Sequence, residues 1–234
     1  MRLSLFQSLL KLLQGLALGS IVLTNPLSVQ ADPVSNNKII QQHVNEDSSM
    51  IKILTDKALA LEKEGKNKEA SEIWERIIEL GEKYFGPFSP DIAPSLNKLG
   101  YLFYLQGKYN KAEAPYMRAL EIREKEFGPD HSSIASILND LAEVYRVQAK
   151  YTKSEPLYTR SLSIYEKALG PDHPNVPLSL NNLAALYSNQ GKLGNSEPLY
   201  IRSLAIKEKA LGSDHPDVAL SLNNLAELYR DQGN

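Results

Sequence analysis

Residues 170–192 read GPDHPNVPLSLNNLAALYSNQGK, and residues 212–234 read GSDHPDVALSLNNLAELYRDQGN, identical at 16 of 23 positions. The offset is 42 residues, and the same glycine punctuation recurs at Gly86 and Gly128. Self-similarity at a fixed period of this length marks an array of stacked units, each too small to bury its own apolar face. Because such an array grows by adding units, the length of 234 residues does not count domains, and one elongated body is expected.

Inside each unit the apolar residues fall at helical spacing. The first segment carries Leu96, Leu99, Gly100, Leu102 and Phe103, then Leu138, Leu141, Ala142, Val144 and Tyr145, then Leu180, Leu183, Ala184, Leu186 and Tyr187. Steps of three and four place these on one face of a helix. Polar breaks at 106–108, 148–150 and 190–192 are too short for anything but a tight turn, so a second helix must return antiparallel. That helix carries Tyr109, Ala112, Tyr116 and Ala119 and their counterparts, with small residues where helices approach closely and tyrosines filling the gaps. Pro115, Pro156 and Pro198 are expected in its first turn, where a missing donor costs little. Gly128, Gly170 and Gly212 are expected to close it in a left-handed conformation. Asp130, Asp172 and Asp214 are expected to cap the next first helix, with Pro174 and Pro216 in its opening turn. The fold class that follows is all-α, an array of helical hairpins.

The N-terminus has a different character. Residues 1–31 contain Arg2 and Lys11, no acid, an apolar stretch from Leu12 to Leu23, and small residues before Asp32. This is the pattern of a secretory signal peptide cleaved after Ala31, which implies a periplasmic or secreted protein. An uncleaved anchor spanning Leu3 to Leu23 is the alternative, and only then would the protein meet a membrane. A polar linker follows at 32–45. The array occupies 46–234, with a degenerate unit at 44–85, full units at 86–127, 128–169 and 170–211, and a half unit at 212–234.

Composition narrows the function classes. Acidic residues number 28 and basic residues 26, both interspersed, and without the signal the net charge is −4, so no basic face attracts nucleic acid. There is no cysteine, which removes disulfides, thiolate metal sites and cysteine nucleophiles. No phosphate loop, zinc-protease motif or nucleophile elbow occurs, nothing calls for a cofactor, and the chain reads as non-enzymatic. His131, His173 and His215 recur one repeat apart, about 10 Å, too far to share a metal ion, and are expected to make hydrogen bonds within their loops.

The motifs LNNLAxLY, EPLYxRSL and GPDHP, as they stand between 170 and 211, resemble the tetratricopeptide repeats of the kinesin light chain type, whose unit is 42 residues rather than 34. The resemblance covers Gly86 to Asn234 closely and 44–85 loosely. It implies a right-handed superhelix whose first helices line a concave groove, and a binding rather than catalytic role. By the same resemblance, groove positions fall at Asn97, Asn139, Asn181 and Asn223, then at Tyr101, Glu143, Ala185 and Glu227, then at Tyr104, Arg146, Ser188 and Arg230.

The asparagine ladder offers a donor and an acceptor per repeat, which suits the main chain of an extended peptide. Alternatively, asparagines bond across neighbouring helices and hold the stack in register; this second role is expected of Asn182 and Asn224, and the first of the ladder. Arg146 and Arg230 could grip a carboxylate, or pair with nearby acids on their own helices. The family's chaperone-tail binders hold a terminal carboxylate with lysine at the ladder position, and asparagine there disfavours that capture. Arg118, Arg160 and Arg202 on the second helix are expected to face outward or pair locally with acids such as Glu121.

The last unit stops at its turn, leaving Leu222, Leu225, Leu228 and Tyr229 with half of their expected cover. Two functional readings result: a scaffold that binds an extended peptide or protein partner along the groove, and a module that self-associates through its C-terminal half unit. Enzymatic activity is a remote third.

Overall fold

The computed structural model describes residues 49–233. The expected signal peptide at 1–31 and linker at 32–45 lie outside the described residues. The chain divides into two units, Met1–Ile53 and Leu54–Asn234, and the second holds the array.

Helix α1, whose residues 54–63 lie in this unit, is followed by α2 (Asn67–Phe85), a 3-10 turn (Pro90–Ile92), α3 (Ala93–Leu105), α4 (Tyr109–Phe127), α5 (Ser132–Val147), α6 (Tyr151–Leu169), α7 (Val176–Asn189), α8 (Leu193–Leu211) and α9 (Pro216–Gln232). Each helix packs on its neighbours in sequence, so α3/α4, α5/α6 and α7/α8 are the expected antiparallel hairpins. Cores run between repeats as well as within them. One cluster joins Ile134 and Leu138 of α5, Ile164 and Tyr165 of α6, Val176 and Leu180 of α7, and Ile206 of α8.

The second helices end at glycines, but not in the expected left-handed conformation. Gly128 has φ 82° and ψ 165°, and Gly170 has φ 97° and ψ 155°. A positive φ with extended ψ is open essentially to glycine alone, a stricter demand than left-handed helix geometry. The next caps also differ from expectation. His131 and His215, not the aspartates, are the N-cap residues, and Nδ1 of each accepts from the backbone N–H two residues on, at 3.2 and 3.1 Å. His173 makes the same bond to Asn175. The imidazole acceptor stands where a carboxylate would, so each histidine has the loop role the sequence suggests and Asp130, Asp172 and Asp214 are not caps. Pro216 opens α9, whereas Pro174 lies in the turn before α7.

Pro115, Pro156 and Pro198 lie inside their helices, five or six residues past the start rather than in the first turn. Each therefore removes one real intrahelical bond. What offsets this is tertiary packing of the same helices: Ser154 and Ser196 are fully buried and donate to the carbonyls of Ala142 and Ala184, both at 2.8 Å.

Bonds between repeats recur with the period. Arg160 pairs with Glu124 at 2.7 Å and donates to the Pro129 carbonyl at 2.8 Å; Arg202 does the same with Glu166 (2.6 Å) and Pro171 (3.2 Å), and Arg118 with Glu82 and Pro87. These arginines thus clamp the preceding repeat instead of facing outward. Tyr145, Tyr187 and Tyr229 donate to Glu113, Glu155 and Glu197 of the preceding second helix, at 2.6, 3.1 and 3.1 Å.

One turn departs from the period. Gly107 and Gly191 take φ of 69° and 71° in their hairpins, and Ala149 occupies the same place at φ 55°. An L side chain there costs about 1–2 kcal/mol. Ala149→Gly is therefore expected to stabilise the protein by about 1 kcal/mol, read as a higher urea midpoint with an unchanged slope.

Candidate functional site

On α5, Ile137, Leu138, Leu141, Ala142, Val144 and Tyr145 are buried, so the least covered side runs through the exposed Ser136 and the half-buried Asp140, Glu143 and Val147. The same row is Pro94, Lys98, Tyr101 and Leu105 on α3, Leu178, Asn182, Ala185 and Asn189 on α7, and Leu220, Asn224, Glu227 and Asp231 on α9. Tyr101, Leu178 and Leu220 are 44%, 54% and 58% exposed. This row is one helical step from the asparagine ladder.

The ladder itself turns inward. Asn139 is only 3% exposed and donates from Nδ2 to Ser179 Oγ of the next repeat at 2.9 Å. Ser179 in turn meets Ser161 Oγ at 3.2 Å, and Ser161 donates to the Ala135 carbonyl at 2.7 Å. The solvent-facing role expected of Asn139 is corrected: its neighbours on α7 cover it, and its amide holds register between repeats. Asn97 and Asn181 are half-buried and Asn223 is exposed. Oδ1 of Asn97, Asn139 and Asn181 is buried without a hydrogen-bond partner.

The two arginines expected in a groove spend their charge on their own helices. Arg146 forms a bidentate pair with Glu143, Nε to Oε2 at 2.7 Å and Nη2 to Oε1 at 2.6 Å. Tyr104 of α3 and Tyr158 of α6 also donate to Glu143, at 3.1 and 2.6 Å. With the Asn189 amide turned to place its oxygen on Arg146 Nη1 (2.7 Å), the network reaches α7 as well. Arg230 pairs with Glu227 at 3.2 Å and Asp231 at 3.4 Å, fully on the surface. The sequence brings Tyr104 and Arg146 together on Glu143, and leaves Tyr101 and Arg230 apart from that node.

These bonds set the electrostatics. Burial works to raise the Glu143 pKa, but the bonds from Arg146, Tyr158 and Tyr104 outweigh it and hold the carboxyl below its usual range. Tyr104 is pushed up to about 12, first by burial and then by the Glu143 charge. Asp140, one helical turn before Glu143, is in the opposite situation. Half-buried, it has neither a hydrogen bond nor an ion pair, and burial first, then the Glu143 charge, raises its pKa from 3.8 to about 7. The equivalent Lys98 is already bonded to Glu62 at 2.9 Å. Sequence reasoning missed Asp140; the available signal was a lone acid in a row otherwise Lys98, Asn182 and Asn224.

A separate, open depression of 690 Å³ lies along α6, lined by Asp130, Thr152, Pro156, Arg160 and Lys167 among others. It contains none of the expected site residues. Among the described residues no three His, Cys, Asp or Glu side chains gather as a metal ion requires.

Comparison with known proteins places this architecture. A family model described as a tetratricopeptide repeat matches residues 49–132, 133–194 and 176–234. Among solved structures, TPR-like repeats assigned to a kinesin light chain of Podosopora anserina are similar at 24% identity, over 79% of this chain and 88% of the other, with a TM-score of 0.68. BtubC (BKLC) from P. vanneervenii is similar at 22% identity, over 84% of this chain and 78% of the other, with a TM-score of 0.70. No curated protein matches it.

Asp140 makes stability depend on pH in a direction opposite to most carboxylates. The folded protein keeps a proton that the unfolded chain releases near pH 4, so this residue's contribution is fully present below that pH and is lost as pH rises through about 7. Asp140→Asn is expected to match the parent at pH 4 and exceed it at pH 8 by on the order of 2 kcal/mol. Paired urea titrations at the two pH values check this; an equal difference at both would show that Asp140 is not the titrating group.

Proposed function

Since the chain belongs to the tetratricopeptide repeat family, whose arrays mediate protein–protein interaction, we propose that it is a non-catalytic scaffold that holds an extended peptide or protein segment along its first helices. The observation that carries this reading is the row those helices leave least covered, with Tyr101, Leu105, Ser136, Leu178 and Leu220 exposed and Lys98, Asp140 and Asn182 half-buried between them. Exposed apolar groups interleaved with polar ones, on a rigid frame, suit an extended ligand whose alternate side chains point to one side. Location outside the cytoplasm is part of the proposal and is supported by the basic, apolar, then small residue pattern at 1–31.

Selection of random twelve-residue peptides on the full chain tests the reading. Peptides are expected to be enriched over an unrelated helical protein, and Leu178→Glu is expected to weaken them about tenfold with the helical circular dichroism unchanged. Failure to enrich, or indifference to Leu178→Glu and Tyr101→Ser together, would overturn groove binding.

A second reading, self-association through α9, is favoured by Leu222. It is 48% exposed, whereas its counterparts Leu96, Leu138 and Leu180 are at most 3% exposed. An apolar side chain placed at a core position but left to water gains from a covering partner. Light scattering across a concentration series should show a dimer that Leu222→Glu dissociates; a strictly monomeric protein would sink this reading.

A further inference from the structure

We infer that α9, with the turn before it, is a docking site for an amphipathic helix of another protein, one that carries an arginine at a set distance from two small residues. The inference does not need the groove. It shares with the self-association reading the openness of α9, and differs in what covers it.

The site copies an interface that the array fills three times. Glu82, Glu124 and Glu166 on the second helices are each clamped by an arginine of the following repeat, which also donates to the carbonyl of Pro87, Pro129 or Pro171. Glu208 and Ser213 are the next members of these two series. The turn between them has the same backbone, with Gly212 at φ 85° and ψ 156° beside Gly170 at φ 97° and ψ 155°, and the Gly212 N–H donates to the Glu208 carbonyl as Gly170 does to Glu166. Carboxylate and turn carbonyl therefore stand in the arrangement that receives a guanidinium elsewhere. Here both residues are exposed, and among the described residues neither the Glu208 carboxylate nor the Ser213 carbonyl has a hydrogen-bond or ion-pair partner.

The apolar part of the site lies alongside on α9. Ala219, Leu222 and Ala226 are exposed, whereas their counterparts on α7, Pro177, Leu180 and Ala184, are buried. On α7 the cover is α8: Ser203 and Ser196 donate to the Pro177 and Ala184 carbonyls, while Arg202, next to Ser203, reaches Glu166. A helix laid on α9 in the same way covers Leu222 and brings its arginine to Glu208. Removing Leu222 from water favours that cover.

The filled copies define the helix. In α4, α6 and α8 a small residue is followed by three residues, a tyrosine, one residue, an arginine and a second small residue, as in Ala112 to Ala119, Ser154 to Ser161 and Ser196 to Ser203. The small residues permit close approach, and Tyr158 and Tyr200 pack with Ala142 and Ala184, the counterparts of Ala226. A folded second copy cannot supply this helix, because in α4, α6 and α8 those small residues and tyrosines are already buried. Nor does α9 carry the pattern, since Tyr229 and Arg230 are adjacent and Asp231 follows. The partner is therefore a different protein that lays one amphipathic helix on the site.

A labelled peptide copying residues 193–211, added to the full chain and followed by fluorescence anisotropy and circular dichroism, tests this. It is expected to bind one to one and to gain helix on binding. Arg202→Ala in the peptide should weaken it about tenfold, and on Glu208→Gln protein the same change should cost less than about twofold. Leu222→Glu, a change at an exposed position, should abolish binding while the protein keeps its helical content. No binding, binding indifferent to Leu222→Glu, or the full Arg202→Ala loss on Glu208→Gln protein would overturn the inference. A concentration-dependent dimer that excess peptide leaves intact would assign α9 to a second copy instead. A chain that is monomeric alone and binds the peptide would uphold this occupant and remove self-association.

Discussion

Everything in this array depends on how closely the helices of a hairpin approach. Ala112, Ser154 and Ser196, and about two turns on Ala119, Ser161 and Ser203, are all fully buried. Only a side chain this small lets the second helix lie against the first, and where it is serine its hydroxyl finds a main-chain carbonyl: Ala142, Ala184, Ala135 and Pro177. A larger group would push the helices apart, and the fully buried Tyr116 and Tyr158 would lose the walls they fill against. Gly100 shows how little slack there is, because a Cβ added to it would sit 2.9 Å from the Tyr116 ring. Close approach fixes the hairpin, and a fixed hairpin then presents its arginine and tyrosine at the height where the preceding repeat offers an acid.

The resulting bonds span about one repeat in sequence. Arg160 to Glu124 and Tyr187 to Glu155 link positions 36 and 32 residues apart. Each hairpin is thus tied to its predecessor, and stability accumulates from nearest-neighbour interfaces rather than from one central core. Single exposed ion pairs contribute little, but the arginine clamps add a carbonyl bond to each pair and repeat along the stack. Their main effect is to fix the angle between repeats, and therefore the spacing of the solvent-facing row.

Periodicity made the helices, the hairpins and the fold class legible, because apolar spacing and glycine punctuation act locally and repeat. What it hid were choices decided by neighbours. Asp130 and His131 are adjacent candidates for one cap, and only the chain direction at the turn selects the imidazole. Arg160 points toward Glu124 because the preceding repeat stands there, which spacing along its own helix cannot reveal. Asn139 and Asp140 exchange roles for the same reason: the face of α5 that meets Ser179 is set by the packing of α7, and a rotation of one residue decides which side chain is buried. The asparagine that repeats in every unit proved to be partly a register device. The acid that breaks the pattern is half-buried and has no hydrogen bond or ion pair.

That contrast bears on how a nearly repetitive surface could recognise anything. If every repeat offered the same groups, an extended ligand could shift by one unit, about 10 Å, and lose only its end contacts. Register would then be poorly defined, and affinity would be spread over several frames. A position whose chemistry changes from repeat to repeat removes the degeneracy, since a ligand shifted by one unit no longer meets the side chains it fits. Lys98, Asp140, Asn182 and Asn224 share one structural position and differ in chemistry, so this row can carry an address while the buried serines and tyrosines repeat to keep the frame constant. Specificity, on this view, belongs to the positions where the 42-residue pattern fails.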